Sequence, residues 1–235
     1  MFVDVFVTTH KREEMFERSI RSLLESTNRE LFRLTVVVDG NEQLGDWQKE
    51  VDYILWNKTN IGIAPSVTHA LYHINNLNEY FDDKQSSFVC YCQDDVIYQK
   101  GWLEKLIKIY TIFSRKYAIG FLSGHNAPEH ETKEKIKFGK DELLLKPWIR
   151  ATNMFAKREY FMSMLPVPRI DPETRRERGR PNDGLGSGID WWFIRNHPNS
   201  VCRSGKINIV CPGLIKHIGY NKSTWLDREL PEDEV

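Results

Sequence analysis

Phe88-Val89-Cys90-Tyr91-Cys92-Gln93-Asp94-Asp95-Val96 is the stretch from which the fold is read. Its first five residues are apolar or aromatic, with the β-branched Val89 among them, which is the pattern of a buried strand. The strand then ends in two adjacent carboxylates. In open α/β sheets the carboxyl ends of the strands form the edge where ligands bind. Neighbouring carboxylates repel, so Asp94 and Asp95 need a compensating cation or a held proton. A divalent metal arriving with a phosphate-bearing substrate supplies that charge. The alternative is a solvated Asp-Asp pair at a turn.

Upstream, residues 2–9 read as an apolar strand, followed by the polar loop Thr8-Thr9-His10-Lys11-Arg12. A helix is predicted from about Glu13, because Met15, Phe16, Ile20, Leu23 and Leu24 recur at helical spacing. Residues 34–38 form a second buried strand, closed by Asp39-Gly40-Asn41, so a carboxylate again ends a strand at a turn signal. Residues 53–56 are a short third strand. The next helix carries Pro65 in its first turn, where proline is favoured. Downstream, a helix runs through Trp102, Leu103, Leu106, Ile107 and Tyr110, and residues 118–122 form another strand. Strands alternating with helices predict parallel strands with right-handed crossovers, a Rossmann-like α/β arrangement.

The second half is less regular. Residues 125–146 are polar and charged and read as a surface excursion. A strand is expected within 148–156, a short helix over 158–165, a helical start at 189–195 and a strand at 207–210. Residues 166–188 are rich in Pro, Gly and Arg and read as a long mobile loop, the kind that acts as a lid. Within it, Arg175 to Arg180 is either a solvated run or a clamp for a diphosphate. Gly184-Leu185-Gly186-Ser187-Gly188 follows no strand and reads as a hinge, not a phosphate loop. The acidic residues after Asp227 are expected to fray.

Composition narrows the function. Basic and acidic side chains balance at 33 each, so no global charge favours nucleic acid or an anionic membrane. No apolar run is long enough to span a bilayer, and the N-terminus is too short and acidic for a signal peptide. A soluble cytoplasmic protein is expected. Cys90, Cys92, Cys202 and Cys211 form no disulfide framework, and Cys-Tyr-Cys lacks the second pair that zinc needs. Nucleophile-elbow, P-loop and His-Glu-x-x-His motifs are missing.

These residues resemble the family 2 glycosyltransferases of the GT-A fold. Val5-Phe6-Val7-Thr8-Thr9-His10-Lys11-Arg12 is similar to that family's first strand and nucleotide loop, and Val36-Val37-Val38-Asp39-Gly40 to its second strand. Asn60-Ile61-Gly62 resembles its Asn-x-Gly segment. Gln93-Asp94-Asp95-Val96 resembles its Asp-x-Asp motif, with Gln93 in place of the first Asp, and Gly101-Trp102-Leu103 follows as in the family. Gly188-Ile189-Asp190-Trp191 is similar to its later acidic motif, and His217-Ile218-Gly219 to its C-terminal histidine. The family's first-loop proline is Thr8 here, and Ile189 stands where an acid commonly precedes the base.

The resemblance implies a single GT-A domain, a Rossmann-like mixed sheet flanked by helices. About residues 1–122 would bind a nucleotide sugar, about 123–226 would serve acceptor and catalysis, and 227–235 would be an acidic tail. It implies transfer of a sugar from a nucleotide-sugar donor, UDP-linked, to an acceptor hydroxyl, glycan in kind, with inversion. Thr8, His10, Arg12, Asp39, Asn60 and Asp94 would contact the nucleotide. Asp95 and His217 would hold a divalent metal, Mn²⁺ or else Mg²⁺, and an imidazole ligand suits Mn²⁺ better. Asp39 would accept a nucleobase N–H, or simply form a turn before Gly40. Arg12 would neutralise phosphate or cap the surface. Asp190 would be the general base, with Asp183 as its rival and a helix N-terminal Asp as the plainer reading. Trp191, Trp192 and Asn153 would contact the acceptor or sugar, and the two tryptophans would also exclude water from Asp190. Two rival readings stand: a sugar nucleotidyltransferase, whose glycine-rich loop is missing after the first strand, and a non-catalytic carbohydrate-binding relative.

Overall fold

Long apolar runs become buried strands. β1 (Val3–Thr9), β2 (Phe32–Asp39), β3 (Tyr53–Asn57) and β4 (Phe88–Gln93) lie side by side, all parallel, in the order β3-β2-β1-β4. The structure, a computed structural model, describes residues 1–40, 45–80, 85–168, 189–196, 207–219, 222–223 and 228–229. Helices α1 (Glu13–Ser26) and α2 (Ile63–Tyr80) connect the parallel strands from opposite faces. Beyond β4 come β5 (Val96–Tyr98), α3 (Trp102–Phe113) and β6 (Ile119–Ser123). The hairpin β7 (Glu134–Phe138) and β8 (Asp141–Lys146) follows, then β9 (Asn153–Lys157) and α4 (Arg158–Ser163). Last are α5 (Ile189–Asn196), β10 (Ile207–Val210), β11 (Ile215–His217), β12 (Lys222–Ser223) and β13 (Arg228–Glu229).

Nine strands make one mixed sheet, β3-β2-β1-β4-β9-β6-β10-β8-β7. β9 runs antiparallel between β4 and β6, so a strand from the second half of the chain is inserted into the first half's sheet. Side chains alternate across β1 as a pleated strand requires. Val3, Val5 and Val7 face the layer of α1 and α3, packed with Phe16, Ile20, Trp102 and Leu106. Phe6 faces α2, α4 and α5, packed with Val67, Leu71, Phe161 and Phe193. Each large side chain buried this way contributes about 2 kcal/mol, so two full layers on a central sheet hold the fold. No described helix is long and apolar enough to cross a membrane.

Two expectations need correction. Residues 125–146 are not merely a surface excursion, because β8 pairs with β10 and extends the main sheet. The run Leu143-Leu144-Leu145 is buried there, while the charges of β7 lie on an outer edge strand, where they blunt further pairing. Arg228–Glu229 is not frayed but pairs with Lys222–Ser223. Residues 230–235 lie outside the described residues, as do Cys202 and residues 169–188, which hold the Arg175–Arg180 run, the glycine run and Asp183. Cys90, Cys92 and Cys211 are free and buried, and Cys90 and Cys92 share the face of α1 and α3.

At the amino end of β1, Asp4 is buried and accepts from Arg33 Nε at 2.7 Å and from Ser86 Oγ. Removing one partner of such a pair leaves a buried charge uncompensated. Asp4→Ala is expected to lower the free energy of unfolding by about 3 kcal/mol in urea denaturation. Ligand binding at the opposite end of the sheet should stay unchanged.

Candidate functional site

The carboxyl ends of β1, β2, β3 and β4 converge on one edge, and each ends in polar residues. Asp39 closes β2 and is fully buried. Its Oδ1 accepts from Ile61 N–H at 2.9 Å and from Asn57 Nδ2 at 3.1 Å, and its Oδ2 accepts from Gly62 N–H at 2.9 Å. Asn57 ends β3 and links onward to Ser66 and His69 of α2. Asn60 Oδ1 accepts from Gly62 N–H, which leaves Asn60 Nδ2 to donate to His10 Nε2 at 3.0 Å. The other ring nitrogen of His10 faces the carbonyl oxygen of Asp39, which only a protonated Nδ1 can satisfy. His10 is therefore held in one ring orientation. Gly40 has φ +130°, and a Cβ there would meet His10 Nδ1 at 3.3 Å. Asp39, His10 and Asn60 thus form one hydrogen-bonded unit at the mouth of the crevice.

The second unit surrounds Asp94 and Asp95, both buried at the end of β4. The positive charge that the sequence demanded is Arg12. Its Nη1 donates to Asp94 Oδ1 at 3.3 Å and also to Asp95 Oδ2. His217 approaches from the far end of the chain because β11 pairs with β5 and sets His217 opposite Val96. His217 Nε2 lies 3.3 Å from Asp95 Oδ1, and Ile218 N–H donates to the Asp95 carbonyl at 2.8 Å. A Cβ on Gly219 would come within 2.8 Å of Asp95 Cβ, so only glycine lets this segment close over the carboxylate.

The two carboxyls diverge in acidity. Burial, then the charge of Asp95, raises Asp94 to about 7 against the opposing pull of Arg12. Burial also acts to raise Asp95, but His217 and Arg12 outweigh it and hold Asp95 below the usual carboxylate range. His125 stands behind His217 with ring centroids 5.9 Å apart. Its own burial, with His217 and Arg150 nearby, pushes it down to about 4, so its ring stays neutral. Lys146 fixes the loop carrying His125 and His130 by donating to the carbonyls of Ala127 at 2.7 Å and His130 at 2.8 Å.

Of the residues named from sequence, His10, Asn60 and Asp39 meet in one unit, and Arg12, Asp94, Asp95 and His217 meet in the other. Thr8 has its hydroxyl 3.3 Å from Tyr91 Oη and its side chain packed inside the sheet. Asn153 lies on β9. It is fully buried, donates to the sulfurs of Cys90 at 3.2 Å and Cys92 at 3.3 Å, and accepts from Gly124 N–H at 2.9 Å. That makes it a tie between β4 and the loop after β6. Asp190 lies in the first turn of α5, half-buried, and its charge acts on His130 against the lowering that burial causes there. Trp192 is partly buried and donates from Nε1 to the Met164 carbonyl at 3.3 Å, while the side chain of Trp191 lies outside the described residues. Sequence reasoning missed Asn57 as a partner of Asp39 and His125 as a partner of His217. Asn57 ends β3 and His125 follows β6 by two residues, so both lie at or just beyond the carboxyl end of a strand, as Asp39 and Asp94 do.

A family model described as glycosyl transferase family 2 matches residues 4–165. The chain is similar in fold to S. aureus TarS, with 14% identity and a TM-score of 0.58, covering 91% of this chain and 35% of that one. TarS 1–349 in complex with UDP-GlcNAc aligns at 13% identity and a TM-score of 0.51, covering 91% of this chain and 56% of the other. The mannosyltransferase PcManGT from Pyrobaculum calidifontis, in complex with GDP-Man and Mn²⁺, aligns at 15% identity and a TM-score of 0.53, covering 90% and 56%. This chain therefore spans between about a third and three fifths of the length of these proteins. No curated protein matches the sequence.

The raised pKa of Asp94 makes a pH prediction for the protein in chelator. A carboxyl raised to about 7 on folding stabilises only while protonated. That contribution is full below the unfolded value near 4 and disappears as pH rises through about 7. The melting temperature should therefore fall between pH 5 and 8, and Asp94→Asn should flatten the slope. At pH 8 the variant should exceed the wild type by on the order of 2 kcal/mol in thermal or urea unfolding.

Proposed function

The chain belongs to glycosyl transferase family 2, and from that premise we propose that it transfers a glycosyl group from a nucleotide-sugar donor to an acceptor hydroxyl. The donor is UDP-linked, the acceptor is a glycan, and the anomeric carbon is inverted. The observation that carries this reading is the grouping of Asp95, His217, Asp94 and Arg12 at the carboxyl edge of the parallel strands. A phosphate-bearing ligand binds at that edge in open α/β sheets.

A divalent metal fits the residues present. Asp95 Oδ1 is buried and accepts no hydrogen bond among the described residues, and His217 Nε2 is beside it. An oxygen and an imidazole nitrogen suit Mn²⁺. Among the described residues no cluster of three or more such side chains surrounds one point, so the remaining ligands would come from donor oxygens and water. When bound there, the cation neutralises charge on the leaving diphosphate. The fold relatives caught with UDP-GlcNAc, and with GDP-Man and Mn²⁺, support this assignment.

The chain's own residues divide the work. Asp39, His10 and Asn60 shape the nucleoside end of the crevice as one rigid unit. Asp94 meets the ribose or sugar hydroxyls, and Arg12 meets phosphate. Asp190, at the start of α5, takes the proton from the acceptor hydroxyl as that oxygen attacks the anomeric carbon. The leaving diphosphate departs from the opposite face, so no protein nucleophile is required. Trp192 lies two residues beyond the base and offers the acceptor an apolar surface.

Calorimetric titration of UDP, GDP and dTDP, with Mn²⁺ and with chelator, tests the donor site. One nucleotide should bind only with Mn²⁺, and Asp95→Ala should weaken it at least 100-fold, about 3 kcal/mol. Absence of nucleotide binding under every metal condition would remove the transferase reading. A separate test concerns the base. Asp190→Asn should bind donor as the wild type does and turn over about 1,000-fold more slowly with the matching sugar nucleotide. Unchanged turnover would dismiss Asp190 from that role.

A further inference from the structure

We propose that Arg12 is the resident counter-cation of the Asp94–Asp95 pair, that a divalent metal competes with it for the same carboxylates, and that the displaced guanidinium then takes the donor's diphosphate. One side chain would thereby couple metal loading to nucleotide binding. The inference rests on the metal-dependent reading of the site.

The pair is dry. The side chains of Arg12, Asp94 and Asp95 are only 8%, 8% and 4% exposed, so water does not stand in for the missing charge when one partner leaves. A single nitrogen, Nη1, serves both carboxylates, and Asp95 Oδ2 is one of its acceptors. A cation seated on Asp95 therefore meets Arg12 at the same carboxylate, and like charges in a buried site repel strongly. One of the two must yield.

Asp95 is the member that cannot move. Gly219 lies so close that even a methyl group there would overlap the carboxylate, and Ile218 N–H holds the Asp95 carbonyl at 2.8 Å. Asp94 and Asp95 are also anchored to a strand end within the central sheet. Arg12, by contrast, is a long side chain on the short link between β1 and α1. Lys11 before it adopts φ +52°, a left-handed conformation disfavoured for a residue with a side chain, which orients the link.

The place to which Arg12 is tethered favours its second partner. It is the N-cap residue of α1, and its side chain makes no cap hydrogen bond to that helix among the described residues. A helix N-terminus disfavours a cation and attracts an anion. At that position the two carboxylates offset the dipole for Arg12. Once a divalent cation takes over the carboxylates, a diphosphate beside the α1 N-terminus satisfies both the guanidinium and the helix end, and guanidinium matches phosphate geometry in a bidentate manner.

The test is Mn²⁺ titration by calorimetry and by the electron paramagnetic resonance signal of free Mn²⁺, on the wild type and Arg12→Gln. Without nucleotide, Arg12→Gln should bind Mn²⁺ at least tenfold more tightly. At saturating Mn²⁺ the variant should bind UDP and GDP at least tenfold more weakly, with UMP and GMP less affected. UDP or GDP should raise wild-type Mn²⁺ affinity at least tenfold, and this coupling should shrink in the variant. If the wild type binds Mn²⁺ and Arg12→Gln binds it no more tightly, the competition is overturned while the metal site stands. If neither protein binds Mn²⁺ while UDP or GDP binds in chelator, the metal-dependent reading falls and the competition with it. Arg12→Lys provides a second variant should Arg12→Gln fail to fold by circular dichroism. Its Mn²⁺ affinity should exceed the wild type's, because a lone ammonium cannot keep the geometry of the guanidinium, and an affinity equal to the wild type's would overturn the proposal.

Discussion

Two carboxylates buried side by side at the end of a strand cannot both stay charged without a cation within reach. Much of this site follows from that requirement. Arg12 comes in from the loop after β1 and serves both acids, and His217 comes in from β11 and flanks the second. Gly219 has no side chain because the chain must close over Asp95. The result is asymmetric, with Asp94 pushed up by burial and by its neighbour, and Asp95 held down by the imidazole and the guanidinium. Such a divergence assigns two adjacent acids different chemistry within one site.

The end of the crevice at Asp39 obeys a different constraint, the need to satisfy a fully buried acid through hydrogen bonds. Asp39 does so with the amides of Ile61 and Gly62 and the side chain of Asn57. The loop before α2 is thereby wrapped around the end of β2. His10 and Asn60 complete the wrap and leave His10 in a single ring orientation. Binding to such a prearranged mouth sacrifices little conformational freedom. The mixed sheet underneath allows both units to be rigid, since β9 clamps β4 from the side away from β1 and Asn153 ties it to the loop after β6.

Much of the first half was legible in the chain. Apolar runs such as Val5-Phe6-Val7 and Val36-Val37-Val38 mark strands on sight, and Phe16, Ile20 and Leu23 mark a helix face, because side-chain period follows directly from backbone geometry. The hairpin β7–β8 was obscured because β7 is an edge strand whose charges face water, leaving only Leu143-Leu144-Leu145 as a signal. The packing of Thr8 and Asn153 could not be read for a related reason. Each lies near a strand end, and which way a single polar side chain turns depends on its neighbours, Tyr91 in one case and Cys90 with Gly124 in the other.

By itself the sequence determined that strands deliver Asp39 and Asp94-Asp95 to one edge, since strand period and chain order are local properties. It also determined that the acid pair must find a counter-charge, because charge is carried by residue type. Only the tertiary structure decided that Arg12, 83 residues before Asp95, is that counter-charge. The pairing of β11 with β5 is what carries His217 to Asp95. Contacts across such separations are set by sheet order and register, which depend on the packing of the whole core and leave no mark in any short stretch of the chain.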